Sequence, residues 1–206
     1  MKERRRYDSL RRAAQAQQTS AAIADAAREL FVTRGWAATT IREVATAAGV
    51  SVPTVYAAYG NKAGLARALV DAADLSADAD RMLGELDSAA GDPAKQLAAM
   101  AGYDRRLYER SGDVIVLLRE AGRAEPELAH AYREARDRAD DAHRQVFAAW
   151  PKGTLRQGLD LDTALDIYAA LCNIDIYRTF IDERGWTPER VQRWWAAALP
   201  RELLAE

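Results

Sequence analysis

The sequence predicts an all-α fold, on three observations. Alanine is abundant while Gly and Pro are sparse, 12 and 6 in 206 residues, a composition that favours helices. Apolar residues recur at steps of three and four through most of the chain, the spacing of one helix face. Helix start signals punctuate those stretches, a Ser, Thr, Asp or Asn followed by Pro or by a Glu three residues on. About nine helices are expected. Residues 1–67 form a three-helix helix-turn-helix domain with a basic N-terminal extension, and 68–206 form a second helical domain joined to it by a continuous helix.

With 49% hydrophobic residues the chain can bury a real core, which excludes a disordered protein. Its single cysteine, Cys172, cannot form an intrachain disulfide and fits a reducing, cytoplasmic setting. No secretory leader is expected, because the basic start runs into Arg11, Arg12 and a Gln/Ala stretch. No apolar run is long enough to span a bilayer, so no membrane partner is expected. The net charge of −2 hides an asymmetry: residues 1–67 carry eleven Lys and Arg against five Asp and Glu, and the remainder is acidic. A basic head on an acidic body points to an anionic polymer as the partner of the head, or to a solvated tail.

Arg4, Arg5, Arg6, Arg11 and Arg12 cluster at the start, suited to phosphates or a narrow minor groove. A helix follows from about Ser9 or Thr19 to Arg34, with Ile23, Ala26, Ala27, Leu30 and Phe31 on one face and Gly35 closing it. Residues 39–65 then have the offsets of a helix-turn-helix. Ala45 is small enough for a second helix to cross, Gly49 can take the left-handed turn, and Val55 plugs the angle between helices. Thr40 and Glu43 form a capping box, and Ser51 and Asn61 are the next N-caps.

In the first of these helices Ile41, Val44, Ala45 and Ala48 face inward. Thr39, Thr40 and Arg42 stand outside at its N-terminus, where the threonines suit phosphates and Arg42 a guanine edge or a phosphate. In the second, about Val52–Ala57, Val55 and Tyr59 face inward and Ser51, Val52, Pro53, Thr54 and Tyr56 outward. An outward Val-Pro pair suits thymine methyl groups in a major groove, and Thr54 and Tyr56 can donate to phosphates. Lys62 puts a positive charge in a first helical turn, which the helix dipole disfavours unless a phosphate is near.

The helix from Lys62 runs through Leu65, Leu69, Ala72 and Ala73 into the 80s. SAAGDP at 88–93 is the first break, with Asp92 as N-cap and Pro93 at N1 of a helix bearing Leu97, Met100, Ala101, Leu107 and Tyr108. VIVLL at 114–118 continues as helix, because a lone strand has nothing to pair with. From Pro126 a long helix carries an inward stripe of Leu128, Tyr132, Ala135, Ala139, Ala142, Val146 and Ala149. The next, about Leu161 to Arg184, is apolar on most sides, the pattern of a helix buried both by its own domain and by a partner subunit. Thr187 and Pro188 start a last helix with Trp194, Trp195 and Leu199.

The stretch AARELFVTRGWAATTIREVATAAGVSVPTVYAAYGNKAGL resembles the N-terminal domain of the TetR family of transcriptional regulators. The family shows the same helix ending in Phe and Gly, Thr-Thr start, Ala-Gly-Val-Ser, Thr-x-Tyr, and Lys before Leu. The resemblance covers about a third of the chain. It implies that Thr40, Arg42, Ser51, Val52, Pro53, Thr54, Tyr56 and Lys62 line DNA, a double-stranded and palindromic operator. Ala58 departs from it, standing where many members have a second aromatic, and Ala57 is similarly small. The resemblance further implies a homodimer through the last two helices and a repressor released when a small-molecule effector fills a pocket in the second domain. Candidate pocket residues are Tyr103, Leu107, Leu117, Tyr168, Leu171 and Cys172, most of which suit a core better than a pocket.

Asp175, Arg178 and Asp182 have the spacing of an intrahelical ion-pair chain, a reading favoured over contact with a ligand. No enzyme, cofactor or metal site is expected. His130 and His143 lack Cys or carboxylate neighbours at ligand spacing, and neither a Gly-rich phosphate loop nor a nucleophile elbow occurs. The competing reading is a helical carrier or small enzyme that retains the head without using it.

Overall fold

The structure, a computed structural model, describes residues 2–76 and 78–205, with their side chains apart from those of residues 2–10, 12 and 73–76. It is all-α as expected. In chain order the helices are α1 (Lys2–Arg34), α2 (Ile41–Ala47), α3 (Val52–Tyr59), α4 (Lys62–Ser76), α5 (Ala79–Ser88), α6 (Pro93–Ala121), α7 (Pro126–Ala148), α8 (Leu161–Leu171), α9 (Ile174–Arg178) and α10 (Pro188–Leu203). A π-helical turn, Thr179–Glu183, follows α9. Among the described residues no helix is long and apolar enough to cross a membrane.

The chain divides into two compact units, Met1–Asp71 with Leu117–Ala131, and Ala72–Val116 with Tyr132–Glu206. The first is built on Ile23, Ala27, Leu30, Phe31, Val44, Ala45, Val55 and Leu65, all buried. Gly122, between α6 and α7, allows close approach of two backbones: a Cβ there would lie 2.9 Å from Ala129 Cα. The second unit has a core that includes Leu97, Met100, Phe147, Tyr168, Tyr177, Trp195 and Leu199. Trp195 is fully buried and its indole Nε1 donates to the Leu171 carbonyl at 2.9 Å, so its polar tip is satisfied. The chain end is tied to the loop after α7 by Arg156 N to Leu203 O and Ala205 N to Thr154 O, both 2.9 Å.

Four expectations need correction. α1 starts at Lys2, earlier than Ser9 or Thr19, because its Arg-, Ala- and Gln-rich start suits a helix. The helix from Lys62 is not continuous into the 80s: it ends at Ser76, and Asp78 takes the left-handed conformation with φ of 66°. A helix interior cannot accept that conformation, while a short polar side chain tolerates it.

The helix expected over 161–184 breaks at Cys172 and Asn173. Asn173 caps in both directions: its Oδ1 accepts from Asp175 N and Ile176 N, and its Nδ2 donates to Ala170 O at 2.7 Å. One amide thus satisfies groups orphaned at the end of α8 and at the start of α9. On α7 the predicted stripe holds only in part, with Leu128 buried and Tyr132, Ala135 and Val146 half-buried. Ala139, Ala142 and Ala149 are exposed, and Phe147 is buried with His143 half-buried beside it, since large rings remove more apolar area from water than alanines do.

Candidate nucleic-acid interface

The turn between α2 and α3 is fixed by backbone chemistry. Thr40 and Glu43 form the full capping box, with Glu43 N donating to Thr40 Oγ1 at 3.2 Å and Thr40 N donating to the Glu43 carboxylate at 2.8 Å. Arg34 adds an ion pair to Glu43 at 3.1 Å. The Thr40 hydrogen bonds, with help from Arg34, hold the Glu43 carboxyl below its ordinary value. α2 ends in a Schellman motif: Val50 N donates to Ala45 O, Gly49 N to Thr46 O, and Gly49 has φ of 67°. Ser51 then caps α3, accepting from Thr54 N at 3.3 Å and sharing a 2.8 Å hydroxyl contact with Thr54.

α3 has one fully buried residue, Val55. Tyr59 turns inward and donates to Ser20 O at 2.8 Å. The remaining face is outward: Ser51, Pro53, Ala57 and Ala58 are exposed, Val52 and Thr54 half-buried, and Tyr56 is 50% exposed. Thr40 and Arg42 are exposed at the start of α2. Asn61 Oδ1 accepts from Gly64 N at 2.6 Å to start α4. A Cβ on Gly64 would stand 2.2 Å from the Tyr59 carbonyl, so only glycine lets α4 approach the end of α3 this closely.

Two sequence expectations change here. Thr39 is not an outward phosphate partner. It is buried, and its hydroxyl lies 3.1 Å from Leu30 O and 3.0 Å from Gly35 O, bonding the end of α1 to the turn that follows. Lys62 does not depend on a phosphate to account for its charge. Its ammonium donates to the Trp36 carbonyl and lies 4.2 Å from the centre of the Trp36 ring, a cation–π contact. Burial holds its pKa below the ordinary lysine value. Trp36 was not singled out from sequence, and only its position after the closing glycine of α1 could have flagged it. Arg11 is exposed on α1, while the side chains of Arg4, Arg5, Arg6 and Arg12 lie outside the described residues.

The pocket candidates divide between the units. Leu117 is buried in the first unit. Tyr168 and Cys172 belong to the core of the second, Leu171 packs against that core, and Tyr103 and Leu107 are half-buried on α6. Sequence reasoning missed one of their neighbours, Asp104, and placed another, Tyr108, only on the apolar face of its helix. Asp104 is buried on α6 and accepts the Tyr168 hydroxyl at 2.7 Å, and Tyr108 donates to Cys172 O at 2.9 Å. The available signal was position, since Asp104 follows Met100 and Ala101 at the steps of the apolar face. His143, read as a packing or surface residue, lies with its ring 4.6 Å from that of Tyr168. Arg178 pairs with Asp182 at 2.9 Å, the expected intrahelical bridge.

A short helix on a locked turn, with Val55 buried and the opposite face bare, is the geometry of a helix-turn-helix. A profile of bacterial regulatory proteins of the tetR family matches residues 23–69. The HTH-type transcriptional regulator YdeS of Bacillus subtilis is 31% identical over 152 residues, spanning 72% of this chain and 73% of YdeS. The chain belongs to the TetR family. Solved structures share its fold, among them two regulators. NalD of Pseudomonas aeruginosa, the secondary repressor of the MexAB-OprM multidrug efflux pump, has a TM-score of 0.73 at 22% identity and covers 93% of this chain and 98% of its own. The fatty acid degradation regulator FadR of Bacillus halodurans has a TM-score of 0.72 at 16% identity, covering 88% and 94%.

Proposed function

We propose that this regulator is a repressor that binds a palindromic operator as a homodimer and leaves it when a small molecule occupies the second unit. The observation that carries the DNA half is the outward face of α3, where Val55 is fully buried while Tyr56 is half exposed. In this reading Val52, Pro53 and Tyr56 enter the major groove and Arg42 reaches a base edge or phosphate. Thr40, Ser51, Thr54 and Lys62 line the same surface. Because the Thr40 and Ser51 hydroxyls are engaged in caps, their larger share is to hold the backbone N–H groups in place. The exposed Arg11 and the rest of the basic start add sequence-independent attraction.

The dimer is assigned to the segment from α8 to the π-helical turn together with α10. Ile167, Leu171, Ile176, Phe180, Ile181 and Trp194 remain only partly buried there, an apolar surface that a second copy would cover. Two-fold symmetry then requires half-sites about 34–36 Å apart or a multiple of that. The protein acts in the cytoplasm, where its DNA is. Selection of bound sequences from a random duplex pool tests the reading. A two-fold symmetric consensus is expected, with a dimer in sedimentation at micromolar concentration. A monomer would refute the dimer, and a pool that never enriches would favour the carrier or small enzyme with an idle head.

A further inference from the structure

We propose that the Asp104 carboxylate is the recognition point for the effector, and that the effector is an organic amine with an aromatic or aliphatic body. This rests on the reading that the second unit binds a small molecule, and it adds the chemical class and the anchoring residue.

Asp104 is only 5% exposed. A carboxylate has two oxygens and about four lone-pair positions, yet here a single donor is found: the Tyr168 hydroxyl, 2.7 Å from Oδ2. Among the described residues no other hydrogen bond and no ion pair reaches the group. The neighbouring polar tips are already committed, since Tyr108 donates to the Cys172 carbonyl and Trp195 to the Leu171 carbonyl. The surroundings are aromatic, with the His143 ring 4.6 Å and the Phe147 ring 6.0 Å from that of Tyr168. A carboxylate so placed is costly to ionise, and burial holds its pKa above the ordinary aspartate value.

A ligand that completes the ionised form of this site must bring a hydrogen-bond donor. A protonated amine brings up to three, supplies the missing ion-pair partner, and is attracted by ring faces. An alcohol brings one donor and no charge. An organic acid would instead seek the guanidinium of Arg136 on α7, whose charge acts on Asp104 without bonding to it, since burial holds the His143 imidazole below its ordinary pKa. The three chemistries therefore make different predictions at one site.

The test is calorimetric titration of the full-length protein with two matched sets: 2-phenylethylamine, 2-phenylethanol and phenylacetate, then octylamine, octanol and octanoate. In at least one set the amine is expected to bind at least tenfold tighter than its alcohol, with the acid weakest. Asp104→Asn should erase that preference while leaving alcohol binding within about twofold. Tyr168→Phe, which leaves both carboxylate oxygens to the ligand, should keep it, and circular dichroism checks that both variants fold. Equal amine and alcohol binding, acid preferred, an amine preference that survives Asp104→Asn, or no binding in either set would overturn the proposal. A gel shift with the same amine separates the two levels. Binding without DNA release sinks the effector reading and leaves the amine site standing, whereas release driven by a non-amine sinks the amine and leaves the effector reading.

Discussion

The two units dispose of their polar groups in opposite ways. Around α2 and α3 the hydrogen bonds of Thr40, Glu43, Ser51 and Asn61 are spent on helix ends at the surface, and α3 itself buries only Val55. In the second unit Asp104, Tyr108, Tyr168 and Trp195 carry polar atoms into an aromatic core. The first arrangement fixes a backbone so that a bare face can be offered to a large, stiff partner. The second keeps polar capacity away from water, where, on the function proposed, one contact counts for more against a small ligand. Rigidity at the surface therefore comes from caps, while burial in the interior leaves polar atoms with few partners.

The largest predicted effect tests whether the aromatic core holds the second unit. Trp195→Ala removes the largest fully buried side chain and should cost about 3–5 kcal/mol in denaturant unfolding. A loss under about 1 kcal/mol would show that the core repacks and that the contrast is overdrawn. Next, Gly64→Ala places a Cβ against the Tyr59 carbonyl and should cost about 1–3 kcal/mol. It should weaken DNA binding by more than that loss of stability explains, because the end of α3 must move. Binding that falls only in step with the folded fraction would mean the placement of α3 tolerates the shift.

Asn173→Ala removes the amide that caps both α8 and α9 and should cost about 1–2 kcal/mol. Hydrogen exchange should quicken at Asp175 and Ile176, whose N–H groups lose their acceptor, and unchanged protection there would contradict the double cap. The smallest effect depends on pH. Because burial raises the Asp104 carboxyl in the folded state, the wild type is at no disadvantage below the unfolded carboxyl pKa of about 3.9 and loses stability as pH rises through the folded value. Asp104→Asn does not ionise, so its melting temperature should gain on the wild type between pH 4 and 7. A constant gap across that range would mean that Asp104 ionises in the folded protein at no extra cost.

The helix-turn-helix was legible because its devices act within a few residues: a capping box, a left-handed glycine, a Ser and an Asn at helix starts. What distant neighbours decide was not legible. Nothing local says that Thr39 turns inward to Leu30 while Thr40 stays out, or that Lys62 finds Trp36 across 26 positions. In the second unit the apolar spacing runs straight through the break at Cys172 and Asn173, so periodicity reads one helix where an asparagine cap makes two. The alanine stripe of α7 misleads for a related reason. Alanines fit either face, whereas Phe147 and His143 pack on Tyr168. The Asp104 carboxylate shows only as a polar residue at an apolar step.

The measurement nearest the central claim is fluorescence anisotropy of a labelled selected duplex across a range of salt, with wild type, Arg42→Ala and Tyr56→Phe. Affinity should fall linearly on logarithmic axes as salt rises. Arg42→Ala should weaken binding about fivefold or more; if its contact is to a phosphate, the slope should be shallower by about one. Tyr56→Phe, which deletes one hydroxyl donor, should weaken it less. Identical curves for all three proteins, or an affinity indifferent to salt, would contradict the assignment of that face to DNA.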